Sequence, residues 1–267
     1  MSQIIHQVDA FTDRPFSGNP AAVCVLPAPR GEDWMQNVAL EMNLSETAFL
    51  HRKDDGYGLR WFTPRAEVEL CGHATLAAAH VLFETRAADP DQDLRFSTRS
   101  GILLARAESP WIVLDFPATA ARPCDPPAGL LEALRLNPLF IGRSRFDVLL
   151  ELESEEAVRA VRPDFQALSE VDVRGVILTA RSTAAEYDFV SRFFAPSVGV
   201  DEDPVTGSAH CTLAPFWAER LGREELIGFQ ASSRGGLVGV CCRGERVLLK
   251  GQAVTVLRGE LTDPACA

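Results

Sequence analysis

The chain has 267 residues, 46% of them hydrophobic, and a formal net charge of −11. That length holds one large or two modest globular domains, and no apolar run approaches the ~20 residues that span a bilayer. With an acidic balance and no more than two basic residues in a row, nucleic-acid binding is disfavoured, because affinity there comes mainly from Lys and Arg neutralising phosphates.

The opening MSQIIHQVDAF lacks the charged-then-apolar layout of a secretion signal, so a cytoplasmic location is expected. Ile4–Thr12 reads as a strand, and RPFSGNP (14–20) as a turn in which Gly18 and Asn19 can take unusual backbone angles. Ala21–Leu26 reads as a second strand. Trp34, Val38 and Met42 fall at helical spacing over Asp33–Met42, with Asn43 as a left-handed stop. Strands at Thr47–His51 and Leu59–Phe62 precede Gly72–Thr85, a helix apolar on almost every side and therefore buried. Further strands are predicted at Asp93–Ser97, Ile102–Ala107 and Trp111–Phe116. The Pro-rich PATAARPCDPPAG (117–129) reads as a linker. Beyond it, helices at Gly129–Leu136 and Glu155–Val161 flank a strand at Phe146–Leu152. Strands at Gly175–Thr179 and Tyr187–Phe194 lead to a second mostly apolar helix, Ser208–Leu221. Short strands close the chain at Leu226–Gln230, Leu237–Cys242, Arg246–Lys250 and Ala253–Leu257.

Two segments repeat one another. Arg60–Ala78 reads RWFTPRAEVELCGHATLAA and Arg192–Ala214 reads RFFAPSVGVDEDPVTGSAHCTLA. Each opens with Arg, two aromatics, one residue and Pro, then passes an acidic stretch to a Gly that enters an alanine-rich run. The offset is 132 residues at the Arg and 135 at the Gly, so the second copy carries three extra residues between. Known repeat arrays have periods of roughly 20–50 residues, so an offset this long means domain duplication. A helix greasy all round needs a sheet curled about it. The expected fold is α+β: two similar lobes, each a curved sheet or barrel around a central helix, related by a pseudo-twofold. The lobes are read as 1–117 and 129–267, joined by 118–128, with the last strand free to pair across lobes.

The first N–H groups of a helix lack intrahelical partners, and the helix dipole adds positive charge there. Such ends bind carboxylate or phosphate. Gly72 and Gly207 begin the two central helices, and glycine lets a ligand approach the backbone closely. One such Gly alone reads as tight packing; two in matched contexts point to a small anion, most simply a carboxylic acid, held in an interlobe cleft. His73 follows Gly72; a lone His is more often structural, and at a helix N-terminus its neutral form is favoured. Asp203 lies four residues before Gly207, in a run with Asp201 and Glu202 that also reads as an acidic cap. Ser208 offers a hydroxyl to the same anion or caps the helix. Glu46, in NLSETAF (43–49), adjoins an apolar strand and has no basic partner nearby in sequence; a carboxylate in an apolar cleft can shuttle protons near neutrality.

The seven Cys are odd in number and contain no CxxC pair, so most read as buried thiols. His73, His80, His210 and Cys211 match no zinc spacing, and no metal is expected. The 24 Arg against two Lys read as a base-composition effect.

Taken together, FTDRPFSGNPAAV (11–23), NLSETAF (43–49), LCGHATLA (70–77), EDPVTGSAH (202–210) and GQAVTVLRGEL (251–261) resemble the PhzF-like phenazine-biosynthesis family, related in fold to diaminopimelate epimerase. The segments run from the first strand nearly to the end of the chain. The resemblance implies isomerisation without cofactor or metal on a small carboxylic acid, no nucleic-acid or membrane partner, and a homodimer. It implies that Glu46 is the acid/base carboxylate, that His73 and Asp203 assist it, and that Gly72, Gly207, Ser208 and Asn19 bind substrate. The epimerases of this fold use a thiol before each helix-start Gly. Here Cys71 precedes Gly72 but Thr206 precedes Gly207, and Thr is too weak an acid to replace a thiol. Two-base epimerisation is therefore disfavoured. The rival readings are a thiol-dependent racemase using Cys71 and a non-catalytic binding protein of the same fold.

Overall fold

The computed structural model describes residues 2–262; Met1 and residues 263–267, with Cys266 among them, lie outside it. The chain forms two compact units: residues up to Asp115 together with those from Lys250 onward, and Phe116–Leu249.

In the first unit, β1 (Gln3–Ala10) and β2 (Asn19–Leu26) are antiparallel. Between them Gly18 has φ +65, and a Cβ there would stand 2.2 Å from the Ala10 carbonyl oxygen, so only glycine fits. Asn19 itself is the first residue of β2 and needs no special angle. The crossover helix α1 (Glu32–Met42) ends on Asn43 in the left-handed region, as its position predicts. It brings β3 (Glu46–Lys53) back parallel to β2, and β4 (Gly56–Phe62) returns antiparallel. A two-residue strand, β5 (Glu67–Val68), pairs with the end of β4. Then α2 (Gly72–Glu84) crosses to β6 (Leu94–Thr98), parallel to β4, and β7 (Gly101–Glu108) and β8 (Trp111–Pro117) follow as antiparallel hairpins.

The second unit repeats that order. The strands β9 (Arg122–Pro123), β10 (Phe140–Arg143) and β11 (Asp147–Glu151) pair antiparallel in succession, with α3 (Leu130–Leu134) between β9 and β10. Helices α4 (Glu155–Ala160) and α5 (Phe165–Ser169) then carry the chain to β12 (Gly175–Arg181), parallel to β11. β13 (Phe189–Phe194) returns antiparallel, and α6 (Gly207–Leu221) crosses to β14 (Glu225–Gln230), parallel to β13. β15 (Gly236–Arg243) and β16 (Arg246–Gly251) follow. Strand–helix–strand, hairpin, helix and parallel strand thus occur twice in one sequence of moves, the structural form of the duplication.

The strands β2–β4 and β11–β13 are covered on both faces, which is why they read as nearly unbroken apolar runs. In the first unit Ala22, Cys24, Phe49 and Phe62 meet Met35 and Ala39 of α1. The other face receives α2, which packs against β1, β2, β3 and β7. Strands this far apart reach one helix only if the sheet curls around it. Leu76, Val81 and Leu82 of α2 are fully buried, each contributing about 1.5–3 kcal/mol. In the second unit Val176, Leu178, Val190 and Phe194 face α3–α5. Their alternates face α6: Trp217 stacks on Phe189 at 5.9 Å and donates Nε1–H to Thr179 Oγ1 at 2.9 Å.

Two further features describe how the chain is organised. The closing strand, β17 (Ala253–Leu261), lies antiparallel to β1 in the first unit rather than completing the second. The Pro-rich segment 118–128 is no free linker. Thr119 N–H donates to the Cys211 carbonyl at 3.1 Å, the acceptor left open because Pro215, four residues on in α6, has no N–H. Thr119 Oγ1 also bonds Thr212 Oγ1 at 2.8 Å. Among the described residues no helix is long and apolar enough to cross a membrane.

Candidate active site

Glu46 opens β3, opposite Ala21 in the parallel register with β2. His73 is the second residue of α2. The sheet curled around α2 brings these elements together with the first residue of β2. Asn19 Nδ2 lies 3.1 Å from His73 Nδ1; donation by the amide assigns the ring proton to Nε2. Nε2 faces Glu46 Oε2 at 3.1 Å, with the side chains 5% and 18% exposed. The separation is that of an ion pair, although the angles miss the hydrogen-bond line. Cys71 Sγ sits 3.6 Å from His73 Nδ1.

This setting overturns the expectation that helix-end charge keeps His73 neutral. Burial opposes charging, Cys71 favours imidazolium only when its sulfur is ionised, and the Glu46 carboxylate favours it directly; the pKa is raised above 6.5. The added Nδ1 proton can be accepted by Cys71 sulfur, or by the Asn19 carbonyl after its amide turns over. The Cys71 thiol is pushed up to about 11 by burial and then by the charge of Glu46. At neutral pH it is a thiol, as the reading of Cys71 as packing requires. The donor atoms of Glu46, Cys71 and His73 lie within 4.8 Å of one another, a spacing a cation could use; a protonated sulfur is a weak ligand for one.

In the second unit α6 starts at Gly207 after the N-cap residue Thr206. Thr206 does not cap the helix: its hydroxyl donates to Asp203 Oδ2 at 2.5 Å. Gln230, at the end of β14, binds both sides of this turn. Its Oε1 accepts Thr206 N–H at 2.9 Å, and its Nε2 donates to Asp203 O at 2.7 Å and Thr206 Oγ1 at 3.1 Å. Nothing in the sequence marked Gln230, a single amide 24 residues beyond Thr206. The three acids before the helix do not act as a common cap. Asp201 is exposed, Glu202 pairs with Arg192, and Asp203 holds Thr206. Ser208 is not a cap either: its Oγ accepts from Arg174, which is bound bidentately to Asp147. One turn further, His210 Nδ1–H donates to Thr206 O at 2.8 Å, and burial lowers the pKa of this ring to about 4.

The structure therefore brings Glu46, His73 and Asn19 together at the start of α2, with Gly72 between Cys71 and His73. It gathers Asp203, Gly207 and Ser208 at the start of α6. Neither helix is capped by its own N-cap side chain.

Comparison with known proteins agrees with these motifs. The family model described as phenazine biosynthesis-like protein (PhzC-PhzF) matches residues 8–259. An uncharacterized isomerase of Halalkalibacterium halodurans is 54% identical over 98% of this chain and 99% of its own. An uncharacterized isomerase of Pseudomonas aeruginosa is 54% identical over 96% of this chain and 97% of its own. The crystal structure of a PhzF-family protein from Enterococcus faecalis superposes with a TM-score of 0.93 at 41% identity, covering 98% of this chain and all of that one.

Proposed function

The chain belongs to the phenazine biosynthesis-like PhzC-PhzF family and is an isomerase of that kind, and on that premise we propose that it moves a proton within a small carboxylic acid through Glu46. The observation that carries this reading is the close, buried pairing of Glu46 Oε2 with His73 Nε2, 3.1 Å apart, on the first turn of α2. The substrate carboxylate is held by the N–H groups at Gly72, with Asn19 beside them; Gly207 and Ser208 are the corresponding residues at the start of α6 and are carried over as substrate-binding by the family resemblance. Glu46 takes a proton from one carbon. The resulting negative charge spreads onto the conjugated carboxylate and is met by the His73 N–H. Glu46, whose acid proton exchanges with solvent, then returns a proton to another carbon. The step exchanges no electrons with an outside group, so it calls for no redox cofactor. Asp203 assists by fixing the Thr206 turn that begins α6.

The test is solvent-deuterium incorporation into a panel of small carboxylic acids, followed by the same assay on Glu46→Gln, which keeps shape and removes basicity. General acid–base catalysis contributes about 10²–10⁴-fold, and a loss of that size is expected. Full exchange by the variant would sink the assignment, and no exchange on any acid that binds would favour the non-catalytic reading.

A second reading, a thiol-dependent epimerase, draws on the 3.6 Å approach of Cys71 to His73. The raised thiol pKa and the Thr at position 206 count against it.

A further inference from the structure

The repeated Arg-aromatic-aromatic segment has a physical role in both units. Arg60 on β4 grips Glu67 with a two-pronged bond, Nε to Oε1 and Nη2 to Oε2, both at 2.6 Å. Its guanidinium lies 5.1 Å from the ring centre of Phe62, two residues on along the same strand face. Arg192 on β13 does the same with Glu202, at 2.7 and 3.0 Å, and lies 4.7 Å from the Phe194 ring. A third prong of Arg192 reaches the Val161 carbonyl at 2.8 Å, while Arg60 reaches Glu32 at 2.7 Å.

The spacing shows what these pairs hold. Glu67 stands five residues before Gly72 and Glu202 five before Gly207, whereas Arg precedes Glu by seven residues in one unit and ten in the other. The three extra residues of the second copy thus fall between Arg and Glu, where a 3₁₀ turn at Pro196–Val198 takes them up. From Glu to the helix-start Gly the two copies keep step. The side chains of Glu67 and Arg192 are only 6% and 9% exposed, so these are not solvent-screened surface pairs, and fork-to-carboxylate bonding fixes direction as well as distance.

We propose that Arg60, and Arg192 as its counterpart, are positioning residues: each clamps the segment delivering a glycine-led helix start, and Arg60 thereby sets His73 against Glu46. The effect on turnover rests on the proton-transfer reading above, but the clamp itself does not.

The test needs no substrate. Cys71, one residue before Gly72, is alkylated only when this segment opens, whereas Cys24 reports opening of the same unit's core. In Arg60→Gln, iodoacetamide labelling of Cys71, read by peptide mass spectrometry, rises tenfold or more while Cys24 keeps the wild-type rate. The His73 Nε2 nitrogen resonance moves as its contact with Glu46 changes. Arg60→Lys, which keeps the charge without the fork, falls between. Unchanged Cys71 labelling with an unmoved His73 signal overturns the proposal. So does a parallel rise at Cys24, which means general loosening. If Arg60→Gln does not fold, Glu67→Gln is read by the same outcomes. Proton transfer by another residue would leave this result standing, so the two ideas fail separately.

Discussion

The starts of α2 and α6 share backbone, glycine and incoming Arg–Glu pair, yet differ in the groups placed around them. Around Gly72 stand a carboxylate, a thiol and an imidazole in mutual reach. Around Gly207 the turn is closed by a hydroxyl, an amide and a carboxylate bonded to one another. Even the histidines differ: His73 is biased toward its charged form by the Glu46 carboxylate, whereas burial keeps His210 neutral. A duplicated scaffold has kept its geometry in both copies and set a carboxylate, a thiol and an imidazole in mutual reach around one of the two glycines. Replacing Glu46 by Gln is the largest break in that asymmetry.

Next in size is the opposite pH behaviour of the histidines. The folded pKa of His210, about 4, lies below the ordinary 6.5, so its share of stability is present above 6.5 and lost as pH falls toward 4. At ~1.4 kcal/mol per unit, that share is about 3 kcal/mol. His73, raised, acts in the other sense: its share is complete below 6.5 and is lost as pH rises through its folded value. Urea unfolding from pH 7 to 4 should show a steeper loss for wild type than for His210→Gln, and equal slopes would remove this half of the contrast. Below that in size is Gln230→Ala, which strips Thr206 N–H and the Asp203 carbonyl of buried partners. A cost of about 1–3 kcal/mol is expected in the same denaturation experiment, and no change would show that the α6 turn holds itself. The smallest effect belongs to Cys71→Ala. Its thiol is not ionised near neutrality, so exchange activity should stay within about threefold of wild type; collapse of activity would restore the thiol mechanism.

Much of this was legible because long apolar patterns carry their own signal. The two central helices and the strands around them fall within a few residues of their predicted places. The short elements β5, β9, β10 and α5 were not foreseen; at two to five residues they lack a period and exist through pairing with neighbours. The Pro-rich stretch had the composition of a linker, but the acceptor exposed by Pro215 gave its backbone a partner that composition does not reveal. The upward shift of the His73 pKa is not legible in the sequence, because Glu46 lies 27 residues away and meets it only through the parallel β2–β3 register. The arginines of the repeat were visible, but their abundance hid them; their matched positions were the signal.

The pairing of β17 with β1, from Gln3 opposite Leu261 to Ala10 opposite Ala253, reverses the expected order of assembly during translation. Phe116–Leu249 is continuous in the chain and can collapse as soon as it clears the ribosome. The portion made first stays one strand short, with a bare edge along β1, until the residues of β17 emerge. The half that carries Glu46 and His73 is thus synthesised early and completed late.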